Sequence, residues 1–308
     1  MISVVIPLYN KEKQIADTLR SVLRQSFQDF EIVVVNDGST DGSVAAAESV
    51  QDERIRIIHQ DNAGVSAARN RGIAEARYEF IAFLDADDRW KPDYLQTQHV
   101  LTQKYPECSV FACNYEFVHA DGSVHPTIIR KLPFEGENGI LANYFEVASC
   151  SHPPMWTSAV MVRKEVLQSI GGFPVGIKSG EDLLTWARLA CRGSIAYSKI
   201  PMAQYELLTS SSGAPPVDIE RVDDAVSVEL KQLISECVSD DVVLGISQYL
   251  AFWYKMRARI NLTLGNRMAV VRCCLASLKL RFSVKGLLMI CMTLCPIKLV
   301  KYIFSSRV

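Results

Sequence analysis

Closely spaced carboxylates after an apolar run are the first candidates for chemistry in this sequence. Asp85 and Asp87 belong to Asp85-Ala86-Asp87-Asp88, directly after the apolar residues 80–84. On an extended backbone, residues two apart project to the same side, so both carboxylates are expected to face one ligand. Oxygen ligands of this kind favour Mg²⁺ or Mn²⁺ over zinc. The alternative is a solvated acidic turn before a helix, with Asp88 as the N-cap.

Two further acidic segments could take part in the same chemistry. Asp37 lies in residues 35–42, where Asp and Gly are also typical of a plain turn. A carboxylate at the end of a strand can accept a hydrogen bond from a nucleobase N–H or a ribose hydroxyl. Glu181-Asp182 opens a predicted helix, where acids are also favoured by the helix dipole. Each segment alone is compatible with a purely structural role.

The elements that must position these acids are four short, β-branched runs about 25 residues apart. They occupy residues 4–8, 32–35, 55–58 and 80–84. Helical patterning between them predicts right-handed crossovers and a mostly parallel sheet that is buried on both faces. In such sheets the ligand lies beyond the carboxyl ends of the strands. The candidate acids are therefore expected to meet at one edge.

The first run lacks the sequence features of a phosphate-binding loop. The run ends within Pro7-Leu8-Tyr9-Asn10, and this segment contains neither a GxGxxG motif nor a P-loop lysine. A nucleotide diphosphate bound here would need another positive partner, and a divalent cation held by carboxylates supplies one. The same absence disfavours a nucleotidyltransferase, which would want a glycine-rich loop and a basic residue at this point.

Taken together, five segments resemble glycosyltransferase family 2 over roughly residues 1–210. They are residues 4–10, 36–43, 62–72, 84–88 and 180–182. Each is weak alone, but all five in this order and spacing are specific. The resemblance implies an α/β fold of the GT-A (nucleotide-diphospho-sugar transferase) type, a Rossmann-like sandwich with a mostly parallel sheet. It also implies inverting transfer of a sugar from a nucleotide-diphosphate donor. Nothing in the sequence identifies the base, so a UDP-sugar is taken as the default donor, with the thymidine and guanosine forms left open.

The resemblance also implies roles for individual residues in donor binding. Pro7, Leu8 and Tyr9 would flank the nucleobase, and Asp37 would bond its ring N–H. Arg69 would lie near the nucleotide.

Three carboxylates are implied in the chemical step. Asp85 would contact the ribose or a metal-bound water, and Asp87 would ligate Mn²⁺ or Mg²⁺. Asp182 matches the catalytic base of the family. The physical account agrees, because attack by a sugar hydroxyl needs a base and a stabilised leaving group opposite it. A single carboxylate opposite the leaving group gives direct displacement with inversion.

Two departures from the family pattern concern positive groups near the diphosphate. Many members have a histidine after the base, but no histidine follows Asp182 here. Its place is taken either by the hydroxyls of Ser210 to Ser212 or by additional water on the metal. The family often has an arginine after Tyr205, where this chain has Glu206.

The composition divides the chain into an acidic body and a basic end. The net charge is -1 and 49% of the residues are hydrophobic, which argues for a sizeable core and against nucleic acid as a partner. After Asp241 every charged residue is a lysine or an arginine. We predict a catalytic domain over residues 1–210, with a nucleotide-sugar-binding half at 1–110 and an acceptor-binding half at 111–210. A linker over Ser210 to Pro216 would lead to a helical region at 211–308.

The basic end suggests a membrane surface. Residues 286–297 are uncharged and apolar, too short to span a bilayer and flanked by Lys and Arg. This pattern favours a helix on an anionic cytoplasmic leaflet, and the alternative is an ordinary helix packed on the catalytic domain. We expect a peripheral enzyme of the inner membrane with a lipid-linked glycan acceptor in bacterial surface polysaccharide synthesis. A non-catalytic membrane adaptor that keeps the fold is the remaining alternative, which the intact acids disfavour.

The cysteines and the first residues also bear on the compartment. The nine cysteines include no CxxC pair and are expected to be reduced thiols. The first residues lack a basic n-region and a cleavage site, so no secretory signal peptide is predicted. Both observations indicate a cytoplasmic protein.

Overall fold

A computed structural model describes residues 1–177, 179–207, 219–237 and 239–305, without the side chains of residues 301, 302, 304 and 305. The chain forms two compact units. The first contains Met1–Ile177 and Glu181–Ser212, and the second contains Lys178–Gly180 and Gly213–Val308. The predicted linker, Ser210 to Pro216, lies outside the described residues, so its conformation stays a prediction.

The first unit is built on a ten-stranded sheet. Its strands are β1 (Ile2–Leu8), β2 (Phe30–Asp37), β3 (Ile55–Gln60), β4 (Phe80–Phe83), β5 (Arg89–Trp90), β6 (Val110–His119), β7 (Val124–Pro126), β8 (Asn138–Ile140), β9 (Val160–Arg163) and β10 (Ile195–Leu207). The strand order is β3-β2-β1-β4-β9-β6-β10-β5, with β7 beside β6 and β8 beside β10. The pairs β1/β2, β2/β3, β1/β4 and β6/β10 are parallel, and β9 runs antiparallel to both β4 and β6. The predicted α/β fold with a mostly parallel sheet is confirmed.

Helices of the first unit connect these strands and cover the sheet. They are α1 (Ile15–Leu23), α2 (Ser43–Glu48), α3 (Val65–Glu75), α4 (Tyr94–Lys104), α5 (Tyr144–Ala148), α6 (Lys164–Ser169) and α7 (Glu181–Arg192), with a 3₁₀ turn at Thr157–Ala159. α1 is amphipathic, and its apolar residues Ile15, Leu19 and Val22 are buried in the core. α3 packs against the sheet through Gly72, where an added Cβ would lie only 2.2 Å from Val5 Cγ1.

The four predicted strands of the first half are present, with shifted ends. The run at residues 32–35 lies within β2, which spans Phe30–Asp37, so Asp37 is the last residue of the strand. Every residue of β1 and β2 is buried, as expected for central strands that are covered on both faces. Because β1 lies between β2 and β4, Asp37 and the segment after β4 flank the end of β1.

The second unit is helical in the part that the structure describes. Its helices are α8 (Ala225–Glu236), α9 (Asp240–Leu264), α10 (Arg267–Leu280), α11 (Val284–Met292) and α12 (Ile297–Ser305). The predicted C-terminal helices are confirmed, whereas the predicted start of the helical region at residue 211 lies outside the described residues and stays a prediction. The apolar run at residues 286–297 does not form one helix, because α11 ends at Met292 and α12 begins after Pro296, which cannot continue a helix. Among residues 1–177, 179–207, 219–237 and 239–305, no helix is long and apolar enough to cross a membrane.

Candidate active site

A cleft of about 390 Å³ opens at the carboxyl ends of β1, β2 and β4, and we call it the strand-end cleft. Its lining residues are Pro7, Leu8, Tyr9, Lys11, Asp37, Asn62, Gly64, Val65, Ala68, Arg69, Asp85, Ala86 and Asp87. The structure therefore brings all seven residues that were predicted for the nucleotide and the metal into one cleft. Lys11 was not predicted, because its sequence position after β1 gives no sign of what its side chain contacts.

The loop after β1 is tied to the loop after β2. Asn10 adopts a left-handed conformation, with φ 51°, and its side-chain oxygen accepts a hydrogen bond from Thr40 N–H at 2.9 Å. The backbone N–H of Lys11 donates to Ser43 Oγ at 2.6 Å. These bonds hold the exposed ring of Tyr9 at the mouth of the cleft, where it can lie against a planar ligand.

The Asp37 carboxylate is buried and already accepts three hydrogen bonds. Its Oδ1 accepts from Gln60 Nε2 at 2.7 Å and from Ala63 N–H at 2.9 Å, and its Oδ2 accepts from Gly64 N–H at 2.9 Å. A carboxylate has about four acceptor positions, so Oδ2 keeps one for a ligand. The fixed orientation suits recognition of one N–H group.

The acidic segment after β4 forms a tight turn. Asp88 N–H donates to Asp85 O at 3.0 Å, so the expectation of an extended backbone was wrong. The carboxylates of Asp85 and Asp87 line the same cleft because the turn, not strand alternation, directs them there.

Asp88 does not cap a helix, which corrects the alternative interpretation of this segment. The N-cap of α4 is Asp93, and Asp88 is buried behind the turn, where its carboxylate accepts from Ser158 Oγ. Burial, followed by the nearby charges of Asp85 and Asp87, raises the pKa of Asp88 well above its usual range. Ser158 Oγ also accepts from Asp85 N–H at 3.1 Å, and these bonds fix the turn.

The carboxylates of Asp85 and Asp87 each pair with a cation. Lys11 Nζ lies 2.5 Å from Asp87 Oδ2, and Arg69 Nη2 lies 2.7 Å from Asp85 Oδ1. Arg69 is almost fully buried, its Nη1 lies 3.3 Å from Glu181 Oε1, and its guanidinium lies 5.1 Å from the centre of the Phe173 ring. Arg69 thus links the turn after β4 to the start of α7.

The same two carboxylates are the candidate ligands for a divalent cation. Within the part of the chain that the structure describes, no group of three or more His, Cys, Asp or Glu side chains converges on a metal site. Mg²⁺ and similar ions are commonly held by one or two carboxylates, with water and substrate phosphates completing the shell. Asp85 and Asp87 fit that arrangement, since in each carboxylate one oxygen pairs with a cation and the other has no hydrogen bond to any described residue.

Asp182 lies in the first turn of α7, directly after the residue that pairs with Arg69. Burial raises its pKa to about 6; the charge of Glu181 also raises it, and the charge of Arg69 lowers it. The N–H of Leu183 donates to Asp182 Oδ1 at 2.8 Å. A carboxylate with this pKa is mostly ionised at pH 7 and is a stronger base than an ordinary aspartate.

Five aromatic side chains, which the sequence reasoning missed, form a connected cluster in the same unit. We call Tyr115, Phe117, His152, Trp156 and Tyr205 the aromatic cluster. Ring centres are 5.5 Å apart for Tyr115 and Trp156, 4.9 Å for Trp156 and Tyr205, and 5.8 Å for Phe117 and Tyr205. His152 lies against Phe117 at 5.6 Å. Their sequence separation leaves no local pattern that could have revealed them.

The aromatic cluster lies near both sets of carboxylates. Burial raises the pKa of Tyr115, and the charge of Asp182 adds to that effect. Burial likewise raises the pKa of Tyr205, with further contributions from the carboxylates of residues 85–88.

The departures from the family pattern have local partners in the structure. Glu206, which stands where an arginine is frequent, accepts a salt bridge from Arg89 Nη2 at 2.9 Å. Gln204 Nε2 donates to Glu116 Oε1 at 2.8 Å. Residues 210–212, considered as hydroxyl donors, lie outside the described residues.

The fold resembles that of two solved glycosyltransferases. One is TarS of S. aureus, solved as residues 1–349 with UDP-GlcNAc, with a TM-score of 0.71 and 17% identity over 99% of this chain and 91% of that one. The other is the mannosyltransferase PcManGT of Pyrobaculum calidifontis, solved with GDP-Man and Mn²⁺, with a TM-score of 0.58 and 19% identity over 94% of this chain and 78% of that one. At these identities the likeness establishes the GT-A fold alone.

Sequence comparison gives the family. A protein of Bacillus subtilis (strain 168), the glycosyltransferase TuaG, named for teichuronic acid biosynthesis, is 31% identical over 215 residues, which cover 68% of this chain and 81% of TuaG. The model of the family described as glycosyl transferase family 2 matches residues 3–171. This match includes the whole strand-end cleft and more than half of the chain, which therefore belongs to glycosyl transferase family 2.

Proposed function

We propose that this chain is an inverting glycosyltransferase that moves a sugar from a UDP-sugar to a hydroxyl of a glycan. The observation that carries the proposal is the convergence of Tyr9, Asp37, Asp85 and Asp87 on one cleft, with Arg69 connecting that cleft to the helix that bears Asp182. The family makes a nucleotidyltransferase a poor alternative.

The base is recognised through one fixed acceptor. Asp37 Oδ2 has one acceptor position left, which suits the ring N–H of uracil. Thymine and guanine also present a ring N–H, so this contact alone does not separate the nucleotides. The solved relatives bind UDP-GlcNAc in one case and GDP-Man in the other, which supports a nucleotide-sugar donor. We take UDP as the first choice for the test.

The chemical step uses two carboxylate sites with different tasks. Asp87, with Asp85, would hold Mn²⁺ or Mg²⁺, which when bound offsets the negative charge that builds on the departing diphosphate. Asp182 takes the proton from the acceptor hydroxyl as it attacks the anomeric carbon. Arg69 positions Asp85 and, by its charge, lowers the pKa of Asp182 so that the base is ionised at neutral pH. Single displacement of this kind inverts the anomeric centre.

The acceptor is proposed to be a glycan, and the aromatic cluster supports this. Aromatic rings bury large apolar areas and can pack against the apolar face of a sugar ring. Phe117, Trp156 and Tyr205 are only partly buried, which suits residues that contact a ligand. TuaG, the relative named for teichuronic acid biosynthesis, supports polysaccharide synthesis as the setting.

A membrane surface is proposed as the place of action, from the second unit taken by itself. That unit leaves several large apolar side chains exposed, among them Val284 at 61% in α11, Phe282 at 72% just before α11 and Leu294 at 84% just after it. The charged residues after Asp241 are all basic, which complements an anionic leaflet. A peripheral enzyme on the cytoplasmic face of the inner membrane, with a lipid-linked acceptor, accounts for both features.

Thermal unfolding with a panel of nucleotides tests the donor site. We expect UDP with Mn²⁺ to raise the melting temperature, because a ligand at 100 times its Kd adds about 2.7 kcal/mol. UDP with EDTA should stabilise much less, and dTDP and GDP with Mn²⁺ identify the base preference. Stabilisation that ignored both the metal and the nucleotide would contradict the proposal.

A further inference from the structure

The side chain of Lys11 occupies one oxygen of a carboxylate that would hold a divalent cation. Its Nζ is 2.5 Å from Asp87 Oδ2, in a cleft that it lines together with Asp37, Arg69 and Asp85. This contact joins residues 76 positions apart in the chain, at the ends of β1 and β4. An ammonium group beside a carboxylate repels a divalent cation on the same carboxylate, so each would weaken the binding of the other.

The Lys11–Asp87 ion pair differs from the Arg69–Asp85 ion pair in how freely its cationic side chain can move. The Arg69 side chain is 4% exposed and is held by two carboxylates, so it is fixed in place. The Lys11 side chain is 36% exposed and has one carboxylate partner, and its long flexible stem allows the ammonium to move. The backbone of Lys11 is fixed by Ser43 Oγ, so such movement would be confined to the side chain.

Charge in the cleft indicates where Lys11 goes when a ligand enters. Three carboxylates and two cations line the empty cleft, so an incoming diphosphate meets a site that is net negative. A metal on Asp87 makes the site net positive and frees the ammonium. The nearest strong acceptors for it are then the oxygens of the diphosphate itself, which lysine binds as a point charge.

We infer that Lys11 is an exchangeable cation of the donor site, which pairs with Asp87 in the free protein and would move onto the diphosphate once Asp87 held a divalent cation. The inference rests on the proposed function and adds to it a residue and an order of events. Metal binding to the free protein is weak because Lys11 opposes it. Nucleotide and metal together are favoured because the ammonium gains a new partner.

This inference about Lys11 is tested by measuring two affinities in the wild type and in three variants, Lys11→Met, Lys11→Arg and Lys13→Met. The Kd for Mn²⁺ in the absence of nucleotide is measured by electron paramagnetic resonance, and the Kd for UDP with saturating Mn²⁺ by calorimetry. For Lys11→Met we expect Mn²⁺ binding about fivefold tighter and UDP binding about tenfold weaker than in the wild type. Lys13→Met is the matched control, because Lys13 is exposed in the same loop and does not line the cleft. It should change neither value.

Whether Lys11→Met binds Mn²⁺ more tightly or less tightly than the wild type distinguishes an exchangeable cation from a residue that only orients Asp87. If Lys11 merely oriented Asp87, its removal would weaken Mn²⁺ binding, and that result would overturn the inference. Unchanged affinities in Lys11→Met would overturn it as well, while leaving the donor site intact. Lys11→Arg keeps the charge and should bind UDP within about threefold of the wild type. A wild-type protein that bound neither Mn²⁺ nor UDP would refute the donor site and Lys11's role with it.

Discussion

Replacing the candidate base should make the protein more stable while it removes activity. The pKa of Asp182 rises from 3.8 to about 6, mainly by burial. A shift of about two units corresponds to about 3 kcal/mol between the two protonation states, an upper value because the group is coupled to Glu181. Asp182→Asn removes the buried charge at almost constant size.

The direction in which the stability changes with pH follows from the number of protons that the folded and unfolded states bind. Because the folded pKa lies above the unfolded one, the folded protein holds a proton between about pH 4 and pH 6 that the unfolded chain has lost. The stability of the wild type therefore falls as the pH rises through that window. Asp182→Asn cannot ionise, so its advantage should be near zero at pH 4 and should grow to at most about 3 kcal/mol at pH 8.

Urea unfolding at pH 4 and pH 8 measures the difference, with Asp29→Asn as the control. Asp29 is exposed just before β2, far along the strand from the strand-end cleft, so this variant should track the wild type at both values. Turnover of Asp182→Asn should fall by a factor of about 10² to 10⁴, with UDP binding retained. If Asp182→Asn were more stable than the wild type by the same free energy at pH 4 and pH 8, or if its turnover were near the wild-type level, the reasoning would be refuted.

Three further predictions follow from other contacts. Arg69→Met removes the charge that lowers the pKa of the base Asp182. The fall of kcat on the acid side of its pH profile should therefore move to a pH about one unit higher. If that part of the profile did not move, Arg69 would not control the pKa of the base. Gly72→Ala should cost about 1–3 kcal/mol in urea unfolding, because the new Cβ would lie 2.2 Å from Val5 Cγ1. Gly136→Ala, whose Cβ would meet nothing closer than 3.7 Å, is the control. Phe282→Ser should reduce flotation with anionic vesicles, because that ring is 72% exposed; equal flotation of both proteins would argue against membrane insertion there.

The sheet was predictable because its strands are marked by local composition. The β-branched runs at 4–8 and 32–35 are buried on both faces and contain no competing helical pattern. In the structure, the strand order places Asp37 and the 85–88 segment on either side of β1, at the sheet edge where ligands of such folds bind. The acid positions of the cleft thus followed from the sequence.

The geometry within the site was not predictable in the same way. The turn at 85–88 depends on Ser158, and Arg69 meets Glu181 from 112 residues away. Such contacts are set by tertiary packing, so spacing along the chain does not reveal them. The Lys11 pair and the aromatic cluster were missed for this reason.

The most direct test of the account is calorimetric titration of UDP into the wild type and Asp87→Asn, each with Mn²⁺ and with EDTA. We expect the wild type to bind UDP at least about tenfold more tightly with Mn²⁺ than with EDTA. Asp87→Asn should lose that difference, and Asp29→Asn should keep it. Equal metal dependence in Asp87→Asn and the wild type would contradict the assignment of this cleft as a metal-assisted donor site.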